Sequence, residues 1–494
     1  MCGDSPASGS VVDIAAGYPG WRFRSVGELC GDAGKAVEEV GDGQADRLIF
    51  ALCRDSYSRN EFRARARRAG VDSFGMQIVE LPASGAGSFN RAASVTAIRG
   101  AIARAGAYPG TQPENIKTVF SNGGGKISRR ALFTIPPIEY RPVPTIAHST
   151  CIAGSGCNQC EKACPHGALK NEGGSVRVDA AACPQRAVEF PGYSAEEIES
   201  HVDAIIAAGV ADDGGDGAQN ILFACSKSSR LPGDEWQVVP VACGAMVPAA
   251  ALLSATAAGA GSVGVLRCKE QCKQNASPKV EGIIGYARNV LELAGDDPER
   301  VAILPPADSG APLPAPSIAT PPAARQEATG IFGRSAAAAA LMALTEGSTS
   351  PFEPFVHDYS PIGVPVVDRA SCTMCGTCAA VCPTGALRQT DEDGLLELSL
   401  DAASCMACDE CVEACPEIAA GAIRLELRTD VLALTGGAVV LCQDEAVKCE
   451  SCDTTFTSAM TLGRLEVLLG DAFTHERYGA LCPECRTLSF DNPS

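Results

Sequence analysis

Short apolar runs alternate with amphipathic stretches at the start of the chain. Asp46–Cys53 reads DRLIFALC, a continuous apolar run of strand length, and predicts a buried strand. Asn60 stands before EFRARARRAG, where it can cap a helix that Gly70 ends. Met76–Leu81 predicts a second strand and Ala92–Ala105 a second helix. The same alternation returns downstream, with strands near Ile221–Cys225, Gln237–Ala242 and Ser262–Arg267 and helices between and after them. Elsewhere the pattern fails. Residues 111–147 are rich in Pro and Gly and read as a linker; SNGGGKIS within them lacks the leading Gly and the Ser/Thr after Lys126 that a phosphate loop needs, so it reads as a turn. The stretch PPADSGAPLPAPSIATPPAA leads into residues 307–360, which predict an extended, mobile tether interrupted by a short Ala-rich helix, Ser335–Leu344.

The resulting division is α/β plus small cysteine-rich modules: an α/β domain over 1–110, a linker over 111–147 and a cysteine-rich module over 148–192. A second α/β domain follows over 193–306, the Pro/Ala-rich linker over 307–360, a longer cysteine-rich module over 361–428 and a final pair of cysteine knuckles over 429–494. A length of 494 residues suits such a multidomain chain.

Composition narrows the function. Hydrophobic residues are 46% but aromatics only 5%, so the cores must be aliphatic. Acidic residues number 59 against 40 basic, a formal charge of −19, which argues against nucleic acid as partner, because phosphate binding needs a basic footprint. The N-terminus MCGDSPASGSVVD has neither a basic n-region nor an apolar h-region, and the expected location is the cytoplasm. The uncharged run Val238–Leu266 is long enough for a bilayer, but Pro240, Pro248 and its glycines break it into strand, loop, helix and strand, so no membrane span is expected. A chain of this kind with 25 cysteines is a metal or cluster binder rather than a disulfide scaffold.

The strongest chemical signal is Cys372-x2-Cys375-x2-Cys378-x3-Cys382-Pro, repeated as Cys405-x2-Cys408-x2-Cys411-x3-Cys415-Pro. Three thiolates on one tight loop reach three irons of one cubane, and the fourth cysteine reaches the neighbouring cubane. One [4Fe–4S] cluster therefore takes Cys372, Cys375, Cys378 and Cys415, and the other takes Cys405, Cys408, Cys411 and Cys382. The segment resembles a bacterial two-cluster ferredoxin; CPTGAL after the first repeat fits that family closely, and CPEIAAGAI after the second is longer. Structural zinc is the alternative use of such thiols, and two repeats in this order weigh against it.

Cys151-x5-Cys157-x2-Cys160-x3-Cys164-Pro-His-Gly-Ala-Leu, followed by Cys183-Pro184, is an eroded copy of the same pattern. The same pairing logic assigns a third [4Fe–4S] cluster to Cys151, Cys157, Cys160 and Cys183, leaving Cys164 as a structural thiol; the set Cys151, Cys157, Cys160 and Cys164 is the alternative.

Cys225, Cys243, Cys268 and Cys272 each fall at or after the C-terminal end of an expected strand, and strand ends converge on one edge of a parallel sheet. The stretch from FACSKSSRLPGDEW to VLRCKEQC and on to DDPERVAIL resembles the delta subunit of methyl-viologen-reducing hydrogenases. That resemblance implies a [2Fe–2S] cluster on these four cysteines and a link between a hydrogenase and a heterodisulfide reductase. Two departures, Ser228 in place of a cysteine and a shortened last pair, leave free buried thiols as the alternative. LIFALCRDSYSRNEFRARARRAGVDSFGMQIVEL weakly resembles the N-terminal part of the flavin-bearing heterodisulfide reductase polypeptide, without that family's flavin domain: no strand-linked G-x-G-x-x-G occurs, and no flavin is expected. The spacing of Cys2, Cys30 and Cys53 assigns them no role.

Cys449-x2-Cys452 and Cys482-Pro-x-Cys485 suit tetrahedral S4 coordination, giving a zinc-ribbon-like knuckle with one structural zinc; a rubredoxin-like iron is the minority reading. Cys442 lies outside that pattern. The whole order of modules resembles bacterial 4Fe–4S proteins found with formate dehydrogenase genes. It implies electron transfer beside larger dehydrogenase or hydrogenase subunits. None of the five histidines, His148, His166, His201, His357 and His475, has a metal-ligand spacing, and no catalytic elbow or nicotinamide fingerprint occurs. The expectation is a non-catalytic electron-transfer subunit of an oxidoreductase of the formate dehydrogenase, hydrogenase or heterodisulfide reductase type. The alternative is an accessory or maturation factor that uses its cysteines for structure or metal handling.

Overall fold

The structure is a computed structural model. It describes residues 17–23, 47–53, 75–81, 83–84, 88–110, 116–119, 139–142, 145–146, 188–190, 192–211, 218–225, 235–268, 277–306, 316, 332–346 and 352–491. The helix expected over 61–70, the turn at 121–128 and Cys2, Cys30, Cys151, Cys157, Cys160, Cys164, Cys183, Ser228 and Cys272 lie outside them. The described residues fall into two compact units, one within 17–346 and one over 352–491.

In the first unit, β1 (Leu48–Cys53) and β2 (Met76–Leu81) pair in parallel, close to the expected bounds. The helix α1 (Arg91–Ala107) starts at Asn90, whose side chain accepts the Ala93 N–H at 3.1 Å. Its Ile98, Ala101 and Ile102 pack on Ala51, Val79 and Leu81. In the stretch read as a linker, β3 (Ile116–Val119) pairs antiparallel with β4 (Glu139–Pro142). Beyond it, β5 (Thr145–Ile146) pairs with β6 (Val188–Glu189), which brackets the eroded cysteine module.

The helix α2 (Ala195–Ala211) packs along α1. They touch at Gly100, where a Cβ would run into the His201 ring. The sheet beyond is four parallel strands, β7 (Ile221–Cys225), β8 (Gln237–Val241), β9 (Val263–Leu266) and β10 (Val301–Leu304), in the order β8-β7-β9-β10. Strands covered on both faces read as unbroken apolar runs, and Ile221, Leu222, Phe223 and Ala224 are all buried. The expected uncharged run accordingly folds as β8, the wholly buried helix α3 (Ala249–Ala257) and β9.

Two fully buried arginines staple this unit, because an arginine fork can satisfy carbonyls that strands and helices leave open. Arg104 on α1 donates to Pro240 O at 2.8 Å and Gly192 O at 2.6 Å, joining the first α/β segment to the sheet. Arg300 donates to Gly261 O at 3.1 Å and Ala260 O at 2.8 Å and pairs with Asp296. It thereby ties the start of β10 to the turn after α3 and to the loop after α4 (Ser277–Leu293).

The Ala-rich helix α5 (Arg334–Thr345) docks on α3, with Ala337 and Leu341 fully buried and Ser254 Oγ donating to Ala336 O at 3.3 Å. Phe332 N–H also donates to Glu199 Oε1 on α2 at 3.0 Å. The elements on either side of residues 307–331, β10 and α5, thus belong to the same unit.

In the second unit, β11 (Val364–Val367) pairs antiparallel with β14 (Ile423–Glu426), bringing together the two ends of the cysteine-repeat module. Between them lie the one-turn helix α6 (Thr377–Ala380), the hairpin β12 (Leu387–Glu392) and β13 (Leu395–Asp401), and a second one-turn helix, α7 (Glu410–Glu413). The hairpin turns at Asp393-Gly394, both at positive φ (56° and 88°), the pair a tight β-turn requires. The long strand β15 (Ala438–Lys448) adds to β13, and β16 (Thr455–Ser458) pairs with its far end. The knuckle expected as a separate tail thus grows out of the module's own sheet. Helices α8 (Ala459–Leu469) and α9 (Pro483–Asp491) complete the unit.

Candidate metal centres

Both cysteine loops of the second unit have the same backbone. In the first, Met374 and Gly376 have φ of 54° and 76°; in the second, the matching Ala407 and Asp409 have φ of 53° and 65°. Left-handed residues at these two places curl each loop so that N–H groups face inward. The Met374 N–H donates to Cys372 Sγ at 3.4 Å. The loop then enters its one-turn helix, which carries the third cysteine.

Cys372, Cys375, Cys378 and Cys415 line one cavity, walled by Val367, Met374, Leu398 and Ile423. Cys415 is therefore brought to the first loop rather than kept with its sequence neighbours. Burial pushes the Cys378 thiol up to about 12, and nearby Cys372, Cys375 and Cys415 add to the shift. Burial likewise pushes Cys411 to about 12, with contributions from Cys405, Cys408, Cys378 and Cys382. Cys382 accordingly lies with the second loop, and Cys378 and Cys411 bring the two thiol sets side by side. Packed thiols of this kind resist ionisation unless cations compensate them, and cluster iron supplies that charge. The donor set fits two cubanes. Among the eight, Cys375 alone is exposed.

At the knuckle, the sulfurs of Cys449, Cys452, Cys482 and Cys485 all lie within 4.8 Å of one another, the single such group among the described residues. That closeness suits one tetrahedral ion. The eight ferredoxin thiols form no such tight group, as the larger span of a cubane requires. Cys449 is held down at about 6, chiefly because it accepts the Cys482 N–H, with the Cys452 and Ser451 N–H groups adding to the effect. Cys482 Sγ accepts the Cys485 N–H at 3.4 Å. Amides aimed at sulfur favour the thiolate that a metal needs.

In the parallel sheet, Cys225 ends β7, and Cys243 and Cys268 follow β8 and β9, so all three stand at the same edge. Cys225 Sγ donates to Ala242 O at 3.4 Å. Cys53 ends β1, away from these sets in sequence. Cys442, on β15, is buried beside Cys372 in the module core, a placement its sequence spacing gave no sign of.

Residues 364–425 match the family model of a 4Fe–4S dicluster domain, and residues 219–312 match that of the methyl-viologen-reducing hydrogenase delta subunit. No curated protein matches the chain. No helix among the described residues is long and apolar enough to cross a membrane. The chain carries a 4Fe–4S dicluster domain and, in its middle region, a domain similar to that hydrogenase subunit, and together they support an iron–sulfur electron-transfer role.

Proposed function

We propose that the chain is a relay that passes single electrons inside a multi-subunit oxidoreductase and turns over no substrate itself. The observation that carries this reading is the crossed thiol arrangement: Cys415 joins the cavity of Cys372, Cys375 and Cys378, and Cys378 adjoins Cys411 of the other set. Two adjacent cubanes give an electron a path through the module, and exposed Cys375 brings the first to the surface. These thiol sets also weigh against the accessory-factor reading, which needs no paired cubane sites.

The cofactor set we infer is three [4Fe–4S] clusters and one zinc. The third cluster sits on Cys151, Cys157, Cys160 and Cys183. Two observations support it. Cys151 follows Ile146 at the same interval at which Cys372 follows Val367, and Cys183-Pro184 lies shortly before Val188 as Cys415-Pro416 lies shortly before Ile423. Ile146 pairs with Val188, as Val367 pairs with Ile423. This set holds about twelve irons, and a [2Fe–2S] cluster on Cys225, Cys243, Cys268 and Cys272 raises the count to about fourteen. We infer zinc at the knuckle as the default ion of an S4 site, with a structural role because four thiolates leave no open position for chemistry.

The delta-subunit likeness favours large hydrogenase or dehydrogenase subunits of the hydrogenase, formate dehydrogenase or heterodisulfide reductase type as partners, in the cytoplasm. Anaerobic co-purification with the tagged chain tests this, with an oxidoreductase subunit expected in the eluate. Oxidation of hydrogen, formate, thiols or reduced nicotinamide by the pure single chain would contradict the relay reading.

A further inference from the structure

The C-terminal extension reaches back to one cysteine loop of the dicluster module. Thr461 Oγ1, at the start of α8, donates to Thr373 O at 2.7 Å. Ser458 Oγ, the cap of α8, lies 2.9 Å from the same carbonyl and 3.1 Å from Thr461 Oγ1. Both hydroxyls are within donating distance of Thr373 O, and Ser458 Oγ can alternatively donate to Thr461 Oγ1. The carbonyl of Thr373 and the N–H of Met374 belong to the same peptide unit, and that N–H donates to Cys372 Sγ at 3.4 Å. The result is a chain of hydrogen bonds from hydroxyl to peptide to ligand sulfur. Among the described residues, the matching carbonyl of the second loop, Met406, receives no side-chain hydroxyl.

A hydrogen bond accepted by a carbonyl polarises its peptide and strengthens the bond its N–H donates. An N–H aimed at a ligand sulfur stabilises the more negative, reduced cluster, and this is one lever that sets cluster potential. We propose that Ser458 and Thr461 are positioning residues that raise the reduction potential of the cluster on Cys372, Cys375, Cys378 and Cys415 and leave that of its twin unchanged. The knuckle segment thereby makes two sequence-similar cubanes inequivalent and gives the module a downhill direction toward exposed Cys375. Its anchorage is independent of the hydroxyls: Arg464 on α8 grips Glu417 through two contacts, at 2.8 and 3.0 Å, and Arg369 Nε donates to Leu441 O at 2.9 Å.

The inference rests on the dicluster reading. Its test is a redox titration of the full chain, followed by electron paramagnetic resonance. The cluster in question is the one whose signal disappears in Cys415→Ser. Thr461→Val keeps the Ser458 cap and removes one hydroxyl; its midpoint should move to more negative potential, and Ser458→Ala with Thr461→Val should move it further. Thr461→Ser should restore the original value, and the twin cluster should stay fixed throughout. An unshifted midpoint, or equal shifts in both clusters, would overturn the inference. A chain that holds no iron at these four cysteines would overturn the dicluster reading and the inference with it.

Discussion

Cys415 shares a cavity with Cys378, although a whole repeat separates them in sequence. The fold makes this possible by pairing β11 with β14, so that the strand entering the first loop lies beside the strand leaving the second. Cys415→Ser should therefore damage the cluster of Cys372, Cys375 and Cys378 and spare that of Cys405, Cys408, Cys411 and Cys382. Electron paramagnetic resonance of the reduced variant distinguishes the two. Loss of the second cluster instead would mean that ligation is local.

Gly376 has φ of 76°, and a Cβ there would run into the Gln389 side chain. Gln389 Nε2 donates to Met374 O at 2.9 Å, so displacing it also loosens the loop. Gly376→Ala should cost about 1–2 kcal/mol from backbone conformation alone. Iron should be lost from this cluster on warming before it is lost from the twin. At the matching Asp409, also at positive φ, a glycine should be tolerated or favoured.

Much of this arrangement is readable in the chain. Apolar runs gave Leu48–Cys53 and Ile221–Cys225 nearly to the residue, because strands buried on both faces carry few polar positions, and Met76–Leu81 was legible from its apolar majority despite Gln77 and Glu80. The cysteine spacing gave the loops, because a cubane dictates its ligands' spacing. What escaped was long-range. The Pro/Ala composition of 307–360 reads as a tether, yet Ala337 and Leu341 bury as well as larger residues do when α3 opposite is itself built of alanine and leucine. Nothing near Arg104 or Arg300 marks them as buried, since their carbonyl partners are supplied by segments distant in sequence. Thr461 carries no local sign of its contact with Thr373.

Arg104 holds Pro240 O and Gly192 O inside the first unit. Arg104→Met should leave both carbonyls unpaired and destabilise that unit by about 3 kcal/mol. Denaturant titration of the intact chain, read on the described helices by amide exchange, measures the loss.

His201 is buried against Gly100, and its Nδ1 has no hydrogen-bond partner among the described residues. Burial, then the charge of Arg104, holds its pKa well below the ordinary 6.5. Below pH 6.5 the unfolded chain takes up a proton there that the folded chain refuses, so stability falls as pH falls. The slope reaches about 1.4 kcal/mol per pH unit for this one group. Stability curves of the chain and of His201→Gln should converge as pH drops from neutrality. Parallel curves would mean that His201 takes up its proton in the folded unit as readily as in the unfolded chain.

The knuckle shares β15 with the dicluster sheet, so removing its metal should not release the whole tail. A chelator should abolish amide protection over 449–491 and leave the β13–β15 pairing protected. Loss of protection in β15 as well would show that the metal holds up the sheet.

The central claim is that the thiol sets hold reducible clusters through which electrons pass. A reductive titration of the anaerobically purified chain, with iron, sulfide and zinc measured on the same sample, tests it most directly. The account expects about three one-electron equivalents for about twelve irons, with zinc confined to one per chain, and full reoxidation by an artificial dye. Zinc in the dicluster thiols, with no electrons taken up, would contradict it.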